Sequence, residues 1–218
     1  MKTRFTFCKN RNQVTENISP GKFNSRIFAG IIGLTMIFGF YGNSVAQTTL
    51  AVPNSNETSS FTGPIASTSR KLQFIIDETL LTSLVGKNLT AISFRLPSSV
   101  TADWPTAPAS FSTYDILLSN SVKPADRQLD FAANVVGIQT QVRGGGLKIP
   151  TNALTSGSNP NNFSFKIKFE STWQYNGGNL LIEVRHSGTT SSRSVAATLT
   201  SSPGYGTLYS AIFQSTSS

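Results

Sequence analysis

Phe163-Ser164-Phe165-Lys166-Ile167-Lys168-Phe169-Glu170 decides the fold class. Phe163, Phe165, Ile167 and Phe169 alternate with Ser164, Lys166, Lys168 and Glu170. Side chains of a strand point to opposite faces in turn, so this pattern marks one buried and one wetted face, as in an antiparallel sheet. The same period of two recurs outward from it. Leu72–Ile76, Thr90–Leu96, Phe111–Leu118, Leu180–Arg185, Val195–Thr200 and Thr207–Phe213 all read as strands. Turn residues separate them: Pro97, Lys123-Pro124, Gly144-Gly145-Gly146, Asn176-Gly177-Gly178 and Ser202-Pro203-Gly204.

Asp77–Gly86 reads differently. Asp77 is a capping residue, Leu80, Leu81 and Leu84 fall on helical spacing, and Gly86 ends the run, so a short helix is expected there. Leu129–Val136 reads as a second short helix or an irregular crossing. No sustained helix and no βαβ alternation is present. The expected fold is all-β: a single antiparallel β-sandwich over 71–218, jelly-roll-like, with one or two short helices.

The first 46 residues read as an address. Ile27–Tyr41 is an uncharged apolar run, preceded by Lys2, Arg4, Lys9, Arg11, Lys22 and Arg26 and followed by Ser44-Val45-Ala46. A basic segment, an apolar core and a small-x-small site describe a secretory signal peptide over 1–46, cleaved near Ala46-Gln47. The run is shorter than the roughly 20 residues that span a bilayer, so no stable transmembrane anchor is expected after cleavage. The expected destination is secreted, extracellular or periplasmic. Residues 47–70, rich in Ser, Thr, Asn and Pro, read as a polar linker or an arm lying on the domain.

Charge supports this division. The chain carries 18 Lys and Arg against ten Asp and Glu, but six of the bases and one of the acids lie in 1–46. The remainder holds 12 against nine, a net +3, with its bases scattered singly. Nucleic-acid binding is therefore not expected. The lone cysteine, Cys8, precedes the apolar run, so residues 47–218 contain no thiol chemistry and no disulfide.

Few residue types invite chemistry. His186 is the only histidine and has no second His or Cys to join it in 47–218, so it reads as an exposed loop residue. Glu170 and Glu183 read as neighbours on adjacent strands, paired with Lys166, Lys168 and Arg185 rather than facing each other across a hydrolase cleft. Asp126 and Asp130 are the weak candidates for a metal ion, too sparse for a calcium loop. No cofactor is expected. Trp104, in a Pro-rich loop, and Trp173 and Tyr175, beside a Gly-rich turn, are the candidate binding residues, because aromatic faces stack on sugar rings. The competing reading has them covering the ends of the core.

Three blocks carry a resemblance. They are Leu89-Thr90-Ala91-Ile92-Ser93-Phe94-Arg95, Asp130-Phe131-Ala132-Ala133-Asn134 followed by Gly145-Gly146-Leu147, and Thr172–Asn176 followed by Gly178-Asn179-Leu180-Leu181-Ile182-Glu183-Val184-Arg185. In order and spacing they resemble a family of exported bacterial β-sandwich proteins of unassigned function, many ending in a Pro-Glu-Pro (PEP-CTERM) sorting tail. That tail is not found after Phe213. The resemblance implies a surface-attached or secreted sandwich without assigned catalytic residues. The expected function is an exported, non-enzymatic structural or adhesive module of the bacterial cell surface or matrix. Its partners would be surface polysaccharide or matrix proteins. A carbohydrate-binding module is the alternative, and a polysaccharide hydrolase a third.

Overall fold

A computed structural model describes residues 3–8, 48–53 and 59–215, with backbone alone for 3–8. The apolar run Ile27–Tyr41 and the Ala46-Gln47 site lie outside the described residues. The protein is all-β, and its main sheets are antiparallel. Thirteen strands are described: β1 Thr3–Cys8, β2 Thr49–Val52, β3 Ser60–Phe61, β4 Arg70–Ile76, β5 Lys87–Ser93, β6 Ala109–Phe111, β7 Tyr114–Ser121, β8 Val135–Arg143, β9 Leu147–Ile149, β10 Ile167–Tyr175, β11 Leu180–His186, β12 Val195–Ala196 and β13 Tyr209–Ser215.

A five-stranded sheet runs β13-β4-β11-β7-β8, and a four-stranded sheet runs β10-β5-β1-β2. Two small pairs, β12-β3 and β6-β9, complete the set. One hydrophobic cluster draws on both larger sheets. Leu72, Phe74, Ile116, Leu118, Ile182 and Val184 meet Leu89, Ile92, Ile167 and Tyr175 in it. Period-two spacing explains the membership, since Leu72, Phe74 and Ile76 of β4 share one face.

The alternation over 163–170 holds, with Ile167 buried and Ser164, Lys168 and Glu170 exposed. The ladder itself starts later, at Ile167, and runs on to Tyr175 past a register shift between Lys168 and Trp173. The glycine turn after it does more than close a hairpin. Gly177 and Gly178 take φ of +104° and +84°, and the chain leaves the four-stranded sheet on β10 and enters the five-stranded one on β11. Glu170 and Glu183 therefore sit in different sheets, not on adjacent strands as their sequence proximity implied.

The expected helices are corrected. Asp77 does cap, accepting from the Thr79 N–H at 3.0 Å, but the segment splits into two 3-10 turns, Glu78–Leu80 and Thr82–Leu84. Only Leu84 of those six residues is buried. Over so short a segment few hydrogen bonds offset the cost of nucleating an α-helix, and the leucines pack on the core from two short turns instead. Leu129–Val136 is the irregular crossing, with one 3-10 turn at Ala132–Asn134.

The segment after residue 47 is an arm built into the fold. It supplies β2, β3 and the buried 3-10 turn Gly63–Ile65. Thr3–Cys8, within the expected leader, lies between β5 and β2, pairing Phe5 with Ile92 and Leu50. No helix among the described residues is long and apolar enough to cross a membrane.

Candidate functional site

The sequence-predicted aromatics turn inward. Trp104 is 7% exposed and joins the core, its backbone exchanging bonds of 2.9 and 2.8 Å with Leu154. Tyr175 is fully buried, and its hydroxyl donates to the Gly178 carbonyl at 2.5 Å. Burial together with the nearby Glu78 and Asp77 carboxylates pushes its phenol up to about 12. Trp173 is half-buried against the core, 6.3 Å from Tyr175 between ring centroids. Tyr175 and Trp173 lie at the end of β10, where the chain passes from one sheet to the other, and Trp104 packs into the same hydrophobic cluster from the loop before β6.

The carboxylates are spent locally. Asp103 accepts from the Ser156 N–H and hydroxyl, Asp115 from the Gly145 N–H, Glu170 from the Gly144 N–H, and Asp130 from the Ala132 N–H. Asp126 is exposed on the 3-10 turn Pro124–Asp126. No group of three His, Cys, Asp or Glu side chains that could hold a metal is found among the described residues.

His186 is not an exposed loop residue. It ends β11, is 4% exposed, and lies parallel to the Tyr114 ring at 5.6 Å with the Phe111 edge at 5.1 Å. Its Nε2 is 2.8 Å from the Gly63 carbonyl, and its Nδ1 accepts from the Gly188 N–H at 3.0 Å. A nitrogen that accepts carries no proton, so the ring is the neutral Nε2–H tautomer, donating to Gly63. Burial lowers its pKa below the ordinary value, the Gly63 bond opposes that, and the Arg70 charge adds to it.

The far face of the five-stranded sheet carries polar residues the alternation alone would leave in water. Gln73 and Glu183 are register partners on β4 and β11, and both are buried. Glu183 takes an ion pair from Lys71 at 3.4 Å and one from Arg185 Nε at 2.5 Å, while Gln73 and Gln139 donate to its other oxygen at 2.7 and 3.3 Å. Burial alone would raise its pKa. The hydrogen bonds from Gln73 and Arg185 and the charges of Arg185 and Lys71 outweigh that, and it is held below the ordinary value. The 123–134 crossing lies over half of this face, bonded through Ser210 Oγ to the Pro124 carbonyl at 2.7 Å and Gln73 Nε2 to the Phe131 carbonyl at 2.8 Å.

Only the end of this face, around Lys71, Asp115 and Arg185, is partly open. A recess of about 330 Å³ is lined by Ser69, Arg70, Lys71, Thr113, Arg185, His186 and Ser187. A second hollow, about 420 Å³, adjoins it through shared Lys71 and Arg185 and reaches Phe131, Gln139 and Glu183. Around the corner, Phe61, Leu199, Tyr205 and Phe213 line an apolar groove of about 190 Å³. Phe213 is 57% exposed, 5.1 Å from Phe61, with the Arg70 guanidinium 5.8 Å from its ring centroid. Arg70 thus connects the groove to the recess.

Sequence reading passed over Phe213, Tyr205, Arg70 and Lys71, and took Arg185 only as an ion-pair partner, which it is for Glu183. Their only signal was local: an aromatic at the end of a strand, and bases at the ends of two others. Which strand ends meet is a matter of sheet order. No protein-family model, curated protein or solved structure matches this chain.

Proposed function

We propose that this chain is an exported, non-enzymatic structural or adhesive module of the bacterial cell surface or matrix, built as a jelly-roll-like sandwich. The observation that carries the reading is the groove of Phe61, Leu199, Tyr205 and Phe213, an aromatic surface left open at one end of a closed core. A ring exposed to the extent of Phe213 loses the free energy its burial would release, and contact with a partner recovers it. Supporting it, Asp103, Asp115, Glu170 and Glu183 serve as acceptors for the fold's own turns and bases. The signal-like leader supports export, and removal near Ala46-Gln47 would leave the module free of an apolar anchor.

The test is fractionation of cells making the full chain, with intact mass of the exported form, followed by adhesion of that form to the producing cells. Export with cell binding that Phe213→Ser abolishes, without loss of the folded spectrum, supports the reading. Retention in the cytoplasm overturns it.

A carbohydrate-binding module is the second reading. The exposed ring of Phe213, with the half-buried Tyr205 beside it, favours it now that Trp104 is packed in the core. Sugar C–H faces stack on such rings.

A further inference from the structure

We infer that the recess between Arg70, Lys71 and Arg185, together with the Phe213 ring beside it, is a binding site for an acidic polysaccharide, a sugar polymer bearing carboxylate or sulfate groups. The inference rests on the surface-module reading and names the ligand class of that module.

The recess lining holds three cationic side chains and three hydroxyl residues, Ser69, Thr113 and Ser187, but no carboxylate. Its histidine, His186, is neutral through the hydrogen bonds given above and adds no charge. Two acids stand beside it, so the three bases leave the cluster a formal net charge of +1. Glu183 lies beneath Lys71 and Arg185, with a side chain only 2% exposed. Asp115, the register partner of Arg185 on β7, accepts from the Gly145 N–H at 3.1 Å.

The buried glutamate explains why the bases stand where they do. Long cationic side chains lose about 2 kcal/mol of rotamer entropy when fixed, which ordinarily weakens their use in recognition. Here Glu183 fixes both heads in the free protein. Lys71 keeps 27% of its side chain exposed and Arg185 46%. Arg185 spends Nε on Glu183, which leaves the two terminal nitrogens of the guanidinium for a ligand. A planar guanidinium fork matches a carboxylate or sulfate in a bidentate pair. Burying an ion costs several kcal/mol unless its partners compensate, so a carboxylate under two half-exposed bases is an expensive way to stabilise a sheet and an effective way to aim two cations.

The shape favours a sugar polymer over a free anion. The recess and the adjoining hollow run into one another through shared Lys71 and Arg185, longer than a single ion needs. The Ser and Thr hydroxyls of the recess suit sugar hydroxyls, and Phe213 offers a stacking face on the far side of Arg70. A nucleic acid is disfavoured because residues 47–218 carry only net +3, with no basic run to neutralise successive phosphates.

The test is calorimetric titration of the folded full chain with polygalacturonate, dextran sulfate, unmodified dextran and duplex DNA. Polygalacturonate or dextran sulfate is expected to bind saturably, weakening as salt rises from about 50 to about 200 mM because the contact is charged. Whichever of the two binds more tightly identifies carboxylate or sulfate as the natural group. Arg185→Gln is expected to weaken binding roughly tenfold, the size of one charge-assisted hydrogen bond. Arg70→Gln provides a second variant that leaves Glu183 and its partners untouched. No binding of either acidic polymer, equal binding of unmodified dextran, tighter binding of DNA, or undiminished binding by both variants would overturn the inference. Failure here with export and adhesion intact leaves the module reading standing. Cytoplasmic retention would overturn that reading whatever the chain binds in vitro.

Discussion

Replacing Asn134 by alanine removes the polar rivet that holds the 123–134 crossing on the sheet. Asn134 is fully buried. Its amide nitrogen donates to Gln73 Oε1 at 3.0 Å, the Gln128 carbonyl at 2.9 Å and the Asp130 carbonyl at 3.2 Å, and its oxygen accepts from the Gln128 N–H at 2.7 Å. Two N–H hydrogens and one accepted bond make three net interactions, at about 1 kcal/mol each. Gln73 is itself fully buried, so its Oε1 loses its donor away from solvent, which places the loss at the upper end, about 3–4 kcal/mol. For a domain of this size each kcal/mol moves the melting temperature by roughly 2–4 °C, so the midpoint should fall by about 6–16 °C. Urea unfolding of the full chain, followed by circular dichroism, reads the free energy directly. Asn134→Asp should cost more than alanine, since it turns the donating nitrogen into an acceptor facing three others. Asp130→Ala, which loses one exposed cap to the Ala132 N–H, should cost no more than about 1 kcal/mol. A midpoint for Asn134→Ala within about 0.5 kcal/mol of the parent would refute the reasoning, because surface substitutions commonly stay inside that range.

Three further predictions follow from single contacts. Gly188 has φ +89°, and a Cβ there would stand 2.4 Å from the Ser67 carbonyl oxygen, so Gly188→Ala should destabilise by at least about 2 kcal/mol and disturb the His186 wall; an unchanged urea midpoint would contradict it. His186 has a folded pKa below its ordinary 6.5, so the unfolded state binds its proton first and stability falls as pH drops from about 6.5 toward the lowered value. His186→Gln should flatten that part of the curve, since it is the only histidine; the Glu183 contribution, held by a lowered pKa, is lost only further down, below its ordinary 4.5. Cleavage near Ala46-Gln47 removes β1 from between β5 and β2, so hydrogen exchange over Thr49–Val52 and Lys87–Ser93 should be faster in the processed chain than in the full one; equal protection would show that β1 contributes nothing to either edge.

Much of the local structure was legible. The strands at Leu72–Ile76, Thr90–Leu96 and Leu180–Arg185 are β4, β5 and β11 within a few residues. The Asp77 cap and the Gly177-Gly178 turn also stand where they were read. Each is set by a residue and its near neighbours, through side-chain alternation, one capping oxygen, or a φ that only glycine takes without cost. The candidate site was far less legible. Trp104 looked like a loop aromatic because Pro105 and Pro108 surround it, yet Leu154, fifty residues on, bonds to its backbone and draws the ring inside. Glu183 looked like one charge on a wetted strand, yet the 123–134 crossing covers its neighbour Gln73 and leaves it beneath Lys71 and Arg185.

By itself the amino-acid sequence determined that this chain is built of strands. Alternation and turn chemistry act over two to five residues, and they operate the same way whatever the rest of the chain does. Only the tertiary structure decided that β4 lies between β13 and β11, which brings Arg70 and Lys71 beside Arg185 and places Phe213 within reach of Arg70. That order is chosen by the burial of all the apolar faces at once, and a collective minimum of that kind leaves no mark at any one residue.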